Sequence, residues 1–212
     1  TGNLVPFAMD RLKLASGYTA EGKYKEAIEI LQGVLAKLGD DHQLSSITQN
    51  NLGMLYRLTG NPQKAIDIYQ RSLGRAIDDT FIQTVANMGV AYMDLGQKEK
   101  CLELCEMSLE KYGEGVTLGS LAVTNNAAVC LKEMGRIDEA MPFYEKCLRG
   151  SEQLHGKDHS RTKMTMDNMS VAYRANGDFE KALALGKKTL KLYEEGPDGV
   201  NHPDTLMCLG NV

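Results

Sequence analysis

The sequence predicts an all-α protein, a right-handed superhelical solenoid built from helix-turn-helix hairpins. Three columns of aligned residues predict this fold class. The columns are Gly22, Gly60, Gly96, Gly135 and Gly177; Ala27, Ala65, Cys101, Ala140 and Ala182; and Leu35, Leu73, Leu109, Leu148 and Leu190. In each column, successive members are 38, 36, 39 and 42 residues apart. A period near 40 residues is typical of stacked supersecondary units, so one unit occurs five times.

Each unit is predicted to contain two helices joined by a tight turn. In the second unit, Leu52 and Leu55 recur at helical spacing before Gly60 and Pro62 interrupt the pattern, which resumes at Ala65. Gly60 suits the left-handed conformation that ends a helix. Pro62 suits the first turn of the next helix, where the missing N–H costs nothing.

The repeats form one predicted solenoid domain over residues 1–212, which looks like a fragment of a larger protein because it starts without methionine. The five hairpins are predicted at about 7–37, 43–76, 80–112, 118–152 and 160–195, and a partial sixth repeat covers 203–212.

Small residues are expected where paired helices approach each other, with tyrosines as the knobs that fill the space beside them. The small residues on the first helices are Gly53, Gly89, Ala128 and Ser170, and the tyrosines are Tyr56, Tyr92 and Tyr173.

The repeated columns resemble the tetratricopeptide repeat (TPR), and the resemblance covers essentially the whole chain. In the second repeat, the family pattern is met by Leu52, Gly53, Tyr56, Gly60, Ala65 and Tyr69. The kinesin light chain subgroup is the most similar, because its repeats of about 42 residues are joined by a turn containing a His-Pro-Asp-Thr-like segment. That turn is matched at residues 155–162 and again at 201–205.

Composition argues against several classes of function. A net charge of −4 and an isoelectric point near 5.6 argue against a nucleic-acid partner, because binding to nucleic acid usually needs clustered basic charge. No apolar run approaches the roughly 20 residues that span a bilayer. Cys101 and Cys105 occupy columns filled elsewhere by Ala65 and Tyr69, so they are interpreted as small buried core residues rather than as a metal-binding pair. Reduced thiols indicate the cytosol or the nucleus, and a cytoplasmic location is predicted. No cofactor, metal or membrane partner is predicted.

Catalysis is the weaker hypothesis. The four histidines all fall in turns between repeats, and no serine or cysteine lies in a recognisable nucleophile motif. His155 and His159 could bind a metal if they shared a helix, but Gly156 argues against that arrangement. His159 is expected to cap a helix instead. The chain is predicted not to be an enzyme.

One column on the first helices is predicted to bind peptide. It contains Asn51, Asn87, Asn126, Asn168 and Asn211, with Lys13 in the first repeat. Asparagine is a mediocre helix former, so its recurrence in the middle of helices needs a reason. A primary amide both donates and accepts, so a ladder of amides can hold the backbone of an extended peptide. The resemblance implies the same role for this column. Alternatively, the asparagines hydrogen-bond to neighbouring repeats and set how they stack.

Residues on the same face are predicted to read the side chains of the peptide. Three positions after the asparagines lie Met54, Val90, Val129 and Val171, which would form an apolar floor. Six positions after them, Arg57, Lys132 and Arg174 would form a basic lip. Such a groove suits a segment with spaced hydrophobic residues and some acidic ones, although Asp94, Glu133 and Asp167 would dilute a preference for acid.

The predicted function is therefore that of a protein-interaction module, an adaptor that binds an extended peptide segment of a protein partner in its concave groove. The alternative is a structural scaffold, or a self-associating array that uses its exposed ends. In that case the partial repeat at 203–212 would make homo-oligomers by presenting Leu206 and Leu209.

Overall fold

In the computed structural model, residues 4–40, 42–74, 78–112 and 115–195 are described, and they form ten α-helices and no strand. The helices are α1 (Leu4–Ala20), α2 (Tyr24–Leu38), α3 (Ser45–Leu58), α4 (Pro62–Leu73), α5 (Asp78–Asp94), α6 (Lys98–Tyr112), α7 (Leu118–Glu133), α8 (Ile137–His155), α9 (Ser160–Ala175) and α10 (Phe179–Glu194). They follow one another as five hairpins. The predicted all-α fold class is confirmed.

The glycine column forms the turn inside each hairpin. Gly22, Gly60, Gly96, Gly135 and Gly177 all adopt a positive φ, between 71° and 82°. Glycine reaches this left-handed region without the strain that a Cβ brings, which is why this residue recurs at the turn. Pro62 opens α4, as predicted, because a first-turn residue needs no N–H partner.

The small-residue columns lie at the contact between the two helices of a hairpin. The alanines and cysteine of the second helices, Ala65, Cys101, Ala140 and Ala182, are all buried. On the first helices, Gly53 is covered by the ring of Tyr69, and Ser170 Oγ donates to the Ala182 carbonyl at 2.9 Å. The predicted close approach of the paired helices is confirmed.

Tyr56, Tyr92 and Tyr173 are the tyrosines that the sequence predicted as knobs, and Tyr56 and Tyr92 pack against the core clusters of the first unit. These rings are only half-buried, and a lysine from the following helix lies over each of them at 5.5–5.9 Å from the ring centroid. The fully buried tyrosines are Tyr69 and Tyr144, on the second helices. A tyrosine next to a lysine can keep its hydroxyl in water while its ring covers apolar neighbours, so the first-helix tyrosines occupy the boundary of the core.

The chain divides into two compact units, Thr1–Ser108 and Leu109–Val212. In the first unit, the core is centred on Leu31, Leu52 and Leu55 in the first two hairpins and continues around Tyr69 towards α5. In the second unit, α7 contributes a buried stripe that includes Val123, Ala127 and Leu131. That the whole chain is a single domain stays a prediction, and the partial sixth repeat at 203–212 lies outside the described residues.

Four of the five cysteines are buried free thiols, as the sequence predicted. They are Cys101, Cys105, Cys130 and Cys147, while Cys208 lies outside the described residues. Burial raises the pKa of the Cys147 thiol, because the thiolate would lose its hydration. These cysteines therefore behave as small core residues.

His155 and His159 stack on each other between α8 and α9. Their ring centroids are 4.3 Å apart, and the planes are inclined by 18°. His159 Nδ1 accepts a hydrogen bond from the Arg161 backbone N–H at 3.2 Å, so this residue caps α9 as predicted. Desolvation lowers the pKa of His155, and the neighbouring His159 and Arg161 lower it further.

Lowering the pH should therefore destabilise the fold through His155. A histidine with a lowered pKa in the folded state takes up its proton more readily when unfolded. The destabilisation by this histidine is absent well above the pKa of an unfolded histidine, about 6.5, and it appears as the pH falls through that value. We expect the free energy of unfolding to fall less between pH 7.5 and pH 5 in His155→Gln than in the wild type. Urea denaturation at several pH values measures the free energy of unfolding of both proteins. An equal fall with pH in the wild type and in His155→Gln would contradict the prediction.

Candidate functional site

The predicted site residues that the structure describes lie on the first helices of the hairpins, while Asn211 lies outside the described residues. Lys13 is on α1; Asn51, Met54 and Arg57 are on α3; Asn87 and Val90 are on α5; Asn126, Val129 and Lys132 are on α7; and Asn168, Val171 and Arg174 are on α9. Steps of three residues keep side chains on one side of a helix. We call this surface the amide face and describe it separately in each unit.

In the first unit, the amide face joins α3 to α5. Asn87 Nδ2 donates to Asn50 Oδ1 at 2.9 Å. Asn51, next to Asn50, is exposed, and Met54 is half-buried one turn further along α3. An asparagine amide has two donor hydrogens and a carbonyl with two lone pairs, so one hydrogen bond leaves most of this capacity available.

In the second unit, the same arrangement joins α7 to α9. Asn168 Nδ2 donates to Asn125 Oδ1, at the longer distance of 3.5 Å. Asn126, the predicted site residue, is only 6% exposed and is engaged in interactions within the fold. It is therefore less available to a ligand than Asn51 or Asn168.

The sequence reasoning did not include Asn50 and Asn125, although both belong to the amide face. Each lies one position before a predicted asparagine, in the doublets Asn50-Asn51 and Asn125-Asn126. The signal that could have identified them is a second pair of asparagines with the same separation along the chain as Asn51 and Asn126. Asn50 and Asn125 accept hydrogen bonds from Asn87 and Asn168 of the neighbouring repeats. Asn87 and Asn168 therefore have the stacking role that was the alternative prediction for the asparagine column.

Each unit has a shallow recess beside these amides. In the first unit, a recess of about 90 Å³ between α1 and α3 is lined by Leu12, Ser16, Asn51 and Met54, among others. In the second unit, a recess of about 130 Å³ is lined by Ala122, Asn125, Asn126 and Met164 of α7 and α9, together with residues of α8. Both combine apolar side chains with carboxamides.

The basic lip is less uniform than the sequence indicates. Arg57 Nη1 lies 3.3 Å from Asp94 Oδ2, and both side chains are partly exposed, at 29% and 38%. Such a pair contributes little stability, but it offsets the positive charge of Arg57. Asp167 is buried and accepts a hydrogen bond from the Tyr193 hydroxyl at 3.0 Å, so it belongs to the core of the second unit. Lys132 is half-buried and Arg174 is exposed on the amide face.

The amide face carries neutral polar groups beside apolar ones. Within the described ranges, no group of three or more histidine, cysteine, aspartate or glutamate side chains is placed to hold a metal ion. The amide face offers neutral donors and acceptors, half-buried valines and a methionine. Such groups recognise polar backbone and apolar side chains in a partner.

The helical hairpins and their positive-φ glycine turns define a helical repeat protein. The family models make the assignment specific. A tetratricopeptide repeat model matches residues 7–78 and 119–195, and a second model of the same repeat matches residues 46–145. The chain belongs to the tetratricopeptide repeat family.

Similar proteins include relatives of kinesin light chain. The chain is 25% identical over 199 residues to Protein KINESIN LIGHT CHAIN-RELATED 2 of Arabidopsis thaliana, which covers 86% of this chain and 30% of that protein. It therefore spans about a third of the length of this relative. The predicted resemblance to kinesin light chain-like repeats is confirmed.

Solved structures share the fold. A crystal structure of a putative kinesin light chain from Podosopora anserina, with nearly identical TPR-like repeats, superposes with a TM-score of 0.74 at 20% identity. The match covers 88% of this chain and 94% of that one. The structure of YrrB, a TPR protein with an unusual peptide-binding site, superposes with a TM-score of 0.60 at 17% identity and covers 96% of this chain and 90% of its own. Proteins of this family typically act as scaffolds for protein-protein interaction.

None of the helices in the described part of the chain is long and apolar enough to cross a membrane.

Proposed function

We propose that this chain is an adaptor module that binds an extended peptide segment of a partner protein along its amide face. The observation that carries the proposal is the set of carboxamides on consecutive first helices. In the first unit these are Asn50, Asn51 and Asn87; in the second they are Asn125, Asn126 and Asn168. The structure of YrrB, which has the same fold, is described as having an unusual peptide-binding site, and this supports a peptide as the ligand.

The geometry within each unit supports binding to backbone. The bond from Asn87 to Asn50 fixes two amides on neighbouring helices, and exposed Asn51 lies next to them. A pre-positioned side chain loses less conformational entropy when it binds. Backbone N–H and C=O groups of an extended segment can then pair with these amides whatever the side chains of the segment are.

The selectivity for particular side chains of the peptide is proposed to come from the apolar floor and the basic lip. Met54 and Val90 in the first unit, and Val129 and Val171 in the second, are half-buried and able to contact apolar side chains. Acidic residues of the segment are proposed to lie near the cationic side chains of this face, Arg57 in the first unit and Lys132 and Arg174 in the second. Lys13, exposed on α1, extends the face of the first unit.

The test compares the wild type with Asn51→Ala/Asn87→Ala as baits in a pull-down analysed by mass spectrometry. Gln70→Ala is the matched control, because it removes an exposed carboxamide from α4, a second helix. Segments shared by the proteins lost only with the double variant would be synthesised and titrated by fluorescence anisotropy. Two lost hydrogen bonds of about 0.5–1.5 kcal/mol each correspond to an affinity about fivefold or more weaker.

Unchanged recovery and affinity in a folded double variant would contradict peptide binding by the amides. Thermal unfolding must accompany the comparison, because Asn87 also links α3 to α5. The single variant Asn51→Ala separates the two roles, since Asn51 is exposed. Binding that falls in Asn51→Ala at constant stability supports the ligand role.

We further propose that the module acts in the cytoplasm. The four described cysteines are buried as free thiols, which suits a reducing compartment. The proposal includes no cofactor, no nucleic acid and no catalytic step.

A further inference from the structure

The recess of the second unit contains a positively charged residue, Arg161. This recess has a volume of about 130 Å³ and is formed by residues of α7, α8 and α9. Asn125 of the amide face and Met164 also line it. The second-unit cations of the basic lip, Lys132 and Arg174, lie on α7 and α9 outside the recess. Arg161 therefore adds a charge to the amide face that the sequence reasoning did not include.

Arg161 lies at the opposite end of α9 from Arg174. The 13 positions from 161 to 174 correspond to about 20 Å along a helix that rises 1.5 Å per residue. Met164 follows Arg161 by three residues and Asn168 follows it by seven, so these three residues share one side of α9. The amide face of the second unit therefore has a cation near each edge, with carboxamides between them.

The guanidinium of Arg161 is available to a ligand. Arg161 is exposed, and it forms no ion pair with an aspartate or glutamate in the described part of the chain. By contrast, the charge of Arg57 is offset by Asp94. The Arg161 backbone N–H donates to His159 Nδ1 at 3.2 Å, and its C=O accepts from the Thr165 hydroxyl at 3.0 Å. Both bonds use backbone atoms, so the side chain can change without removing them.

The repeat does not require a cation at this position. The residues seven positions before the five asparagines of the column are Leu44, Thr80, Gly119, Arg161 and Asp204. A side chain that every hairpin needed would recur here, as the glycine of the turn does. Because Arg161 belongs to one repeat alone, a contact with a ligand explains it better than a role in the fold.

We propose that Arg161 binds the carboxylate of an acidic residue in the peptide segment, and that the recess beside it takes an apolar side chain two positions away. This inference rests on the proposed function, because it assigns side chains to a segment on the amide face. Arginine presents a planar fork of N–H donors that matches both oxygens of a carboxylate. Successive side chains of an extended segment point to opposite sides, so those that enter one surface are two positions apart, about 7 Å.

The recess suits an apolar side chain next to that carboxylate. Leu121, Ala122 and Met164 contribute apolar surface to it. Met164 is 48% exposed, so a side chain that covers it removes apolar surface from water on both molecules. Asn125 lines the same recess and can bond the backbone of the residue between the acidic and the apolar one.

The probe is a library of random dodecapeptides displayed on phage and selected in parallel on the wild type and on Arg161→Gln. We expect the wild type to enrich an aspartate or glutamate two positions from an apolar residue. Arg161→Gln should still enrich the apolar residue but should lose the acidic one. Arg149→Gln on α8 is the matched control, because it makes the same replacement at a side chain that is 71% exposed and lies outside the recess.

An enriched peptide is then synthesised and titrated by fluorescence anisotropy. Arg161→Gln should weaken its binding about threefold to tenfold, as expected for an arginine–carboxylate pair that is partly exposed. Arg161→Glu should weaken it about tenfold or more, and a lysine in place of the acidic residue of the peptide should restore binding to Arg161→Glu. Replacing the acidic residue with its amide tests the same pair without changing the protein.

Acidic enrichment that persists in Arg161→Gln, or that is lost equally in Arg149→Gln, would overturn the assignment of Arg161. Failure of the swapped charges to restore binding would also contradict it. In these cases a peptide that binds the amide face remains, and the proposed function stands. Failure of the wild type to enrich any peptide would contradict the proposed function together with this inference, so the two failures are distinguishable.

Discussion

Replacing Gly53 with alanine is expected to lower the free energy of unfolding by about 3 kcal/mol, the upper part of the usual range for overpacking a core. A Cβ at this position would lie 2.4 Å from Tyr69 Cε1 and 2.6 Å from Tyr69 Cζ. Tyr69 is fully buried, so its ring has no solvent-exposed space into which it can retreat. Either α3 and α4 must separate or the ring must leave its rotamer. Urea denaturation followed by circular dichroism measures the change.

Gly17→Ala is the matched control for this substitution. Gly17 also lies inside a first helix, α1, but a Cβ there would meet nothing within 4 Å. Alanine forms helix better than glycine by up to about 1 kcal/mol, so this variant should be at least as stable as the wild type. If both variants shift stability alike, the contact between Gly53 and Tyr69 does not determine how closely α3 and α4 pack.

Replacing Leu31 with alanine is expected to destabilise the protein by about 2–5 kcal/mol. Leu31 is 1% exposed and lies in one buried cluster with Ala15, Ala27, Leu52 and Leu55. Truncation removes apolar contact and leaves a cavity between the first two hairpins. The same denaturation experiment measures the loss.

Leu14→Ala, in the same hairpin, should change stability by less than about 1 kcal/mol because Leu14 is 43% exposed. The contrast between the two leucines tests whether burial sets the cost of truncating a side chain in this hairpin. A loss at Leu14 as large as that at Leu31 would contradict this expectation.

The repeated columns were sufficient to predict the hairpins and their turns. Turn position depends on local backbone chemistry, and only glycine adopts a φ near 75° without strain, so Gly60 and its counterparts marked the turns directly. Helix pairing was also readable, because close approach of two helices requires small residues such as Ala65 and Ala140 at the contact. The family assignment followed from the same columns.

Side-chain partners across repeats could not be predicted in the same way. The sequence placed Asn87 in a column with Asn51, but the structure pairs Asn87 with Asn50, which the column does not include. It predicted that Tyr56 packs beside the paired helices, but not that Tyr69 is the fully buried ring or that the Tyr56 hydroxyl accepts a hydrogen bond from Gln32. Periodicity gives the face of a helix, and the crossing geometry decides which side chains on that face meet.

The sequence by itself determined the repeat, the all-α fold class and the candidate asparagine column, since each depends on local conformation or on spacing along one helix. Only the tertiary structure decided that Asn126 is buried and that Arg57 is paired with Asp94. Exposure and charge pairing depend on what packs against a residue from elsewhere in the chain, and a linear pattern of residue types does not contain that information.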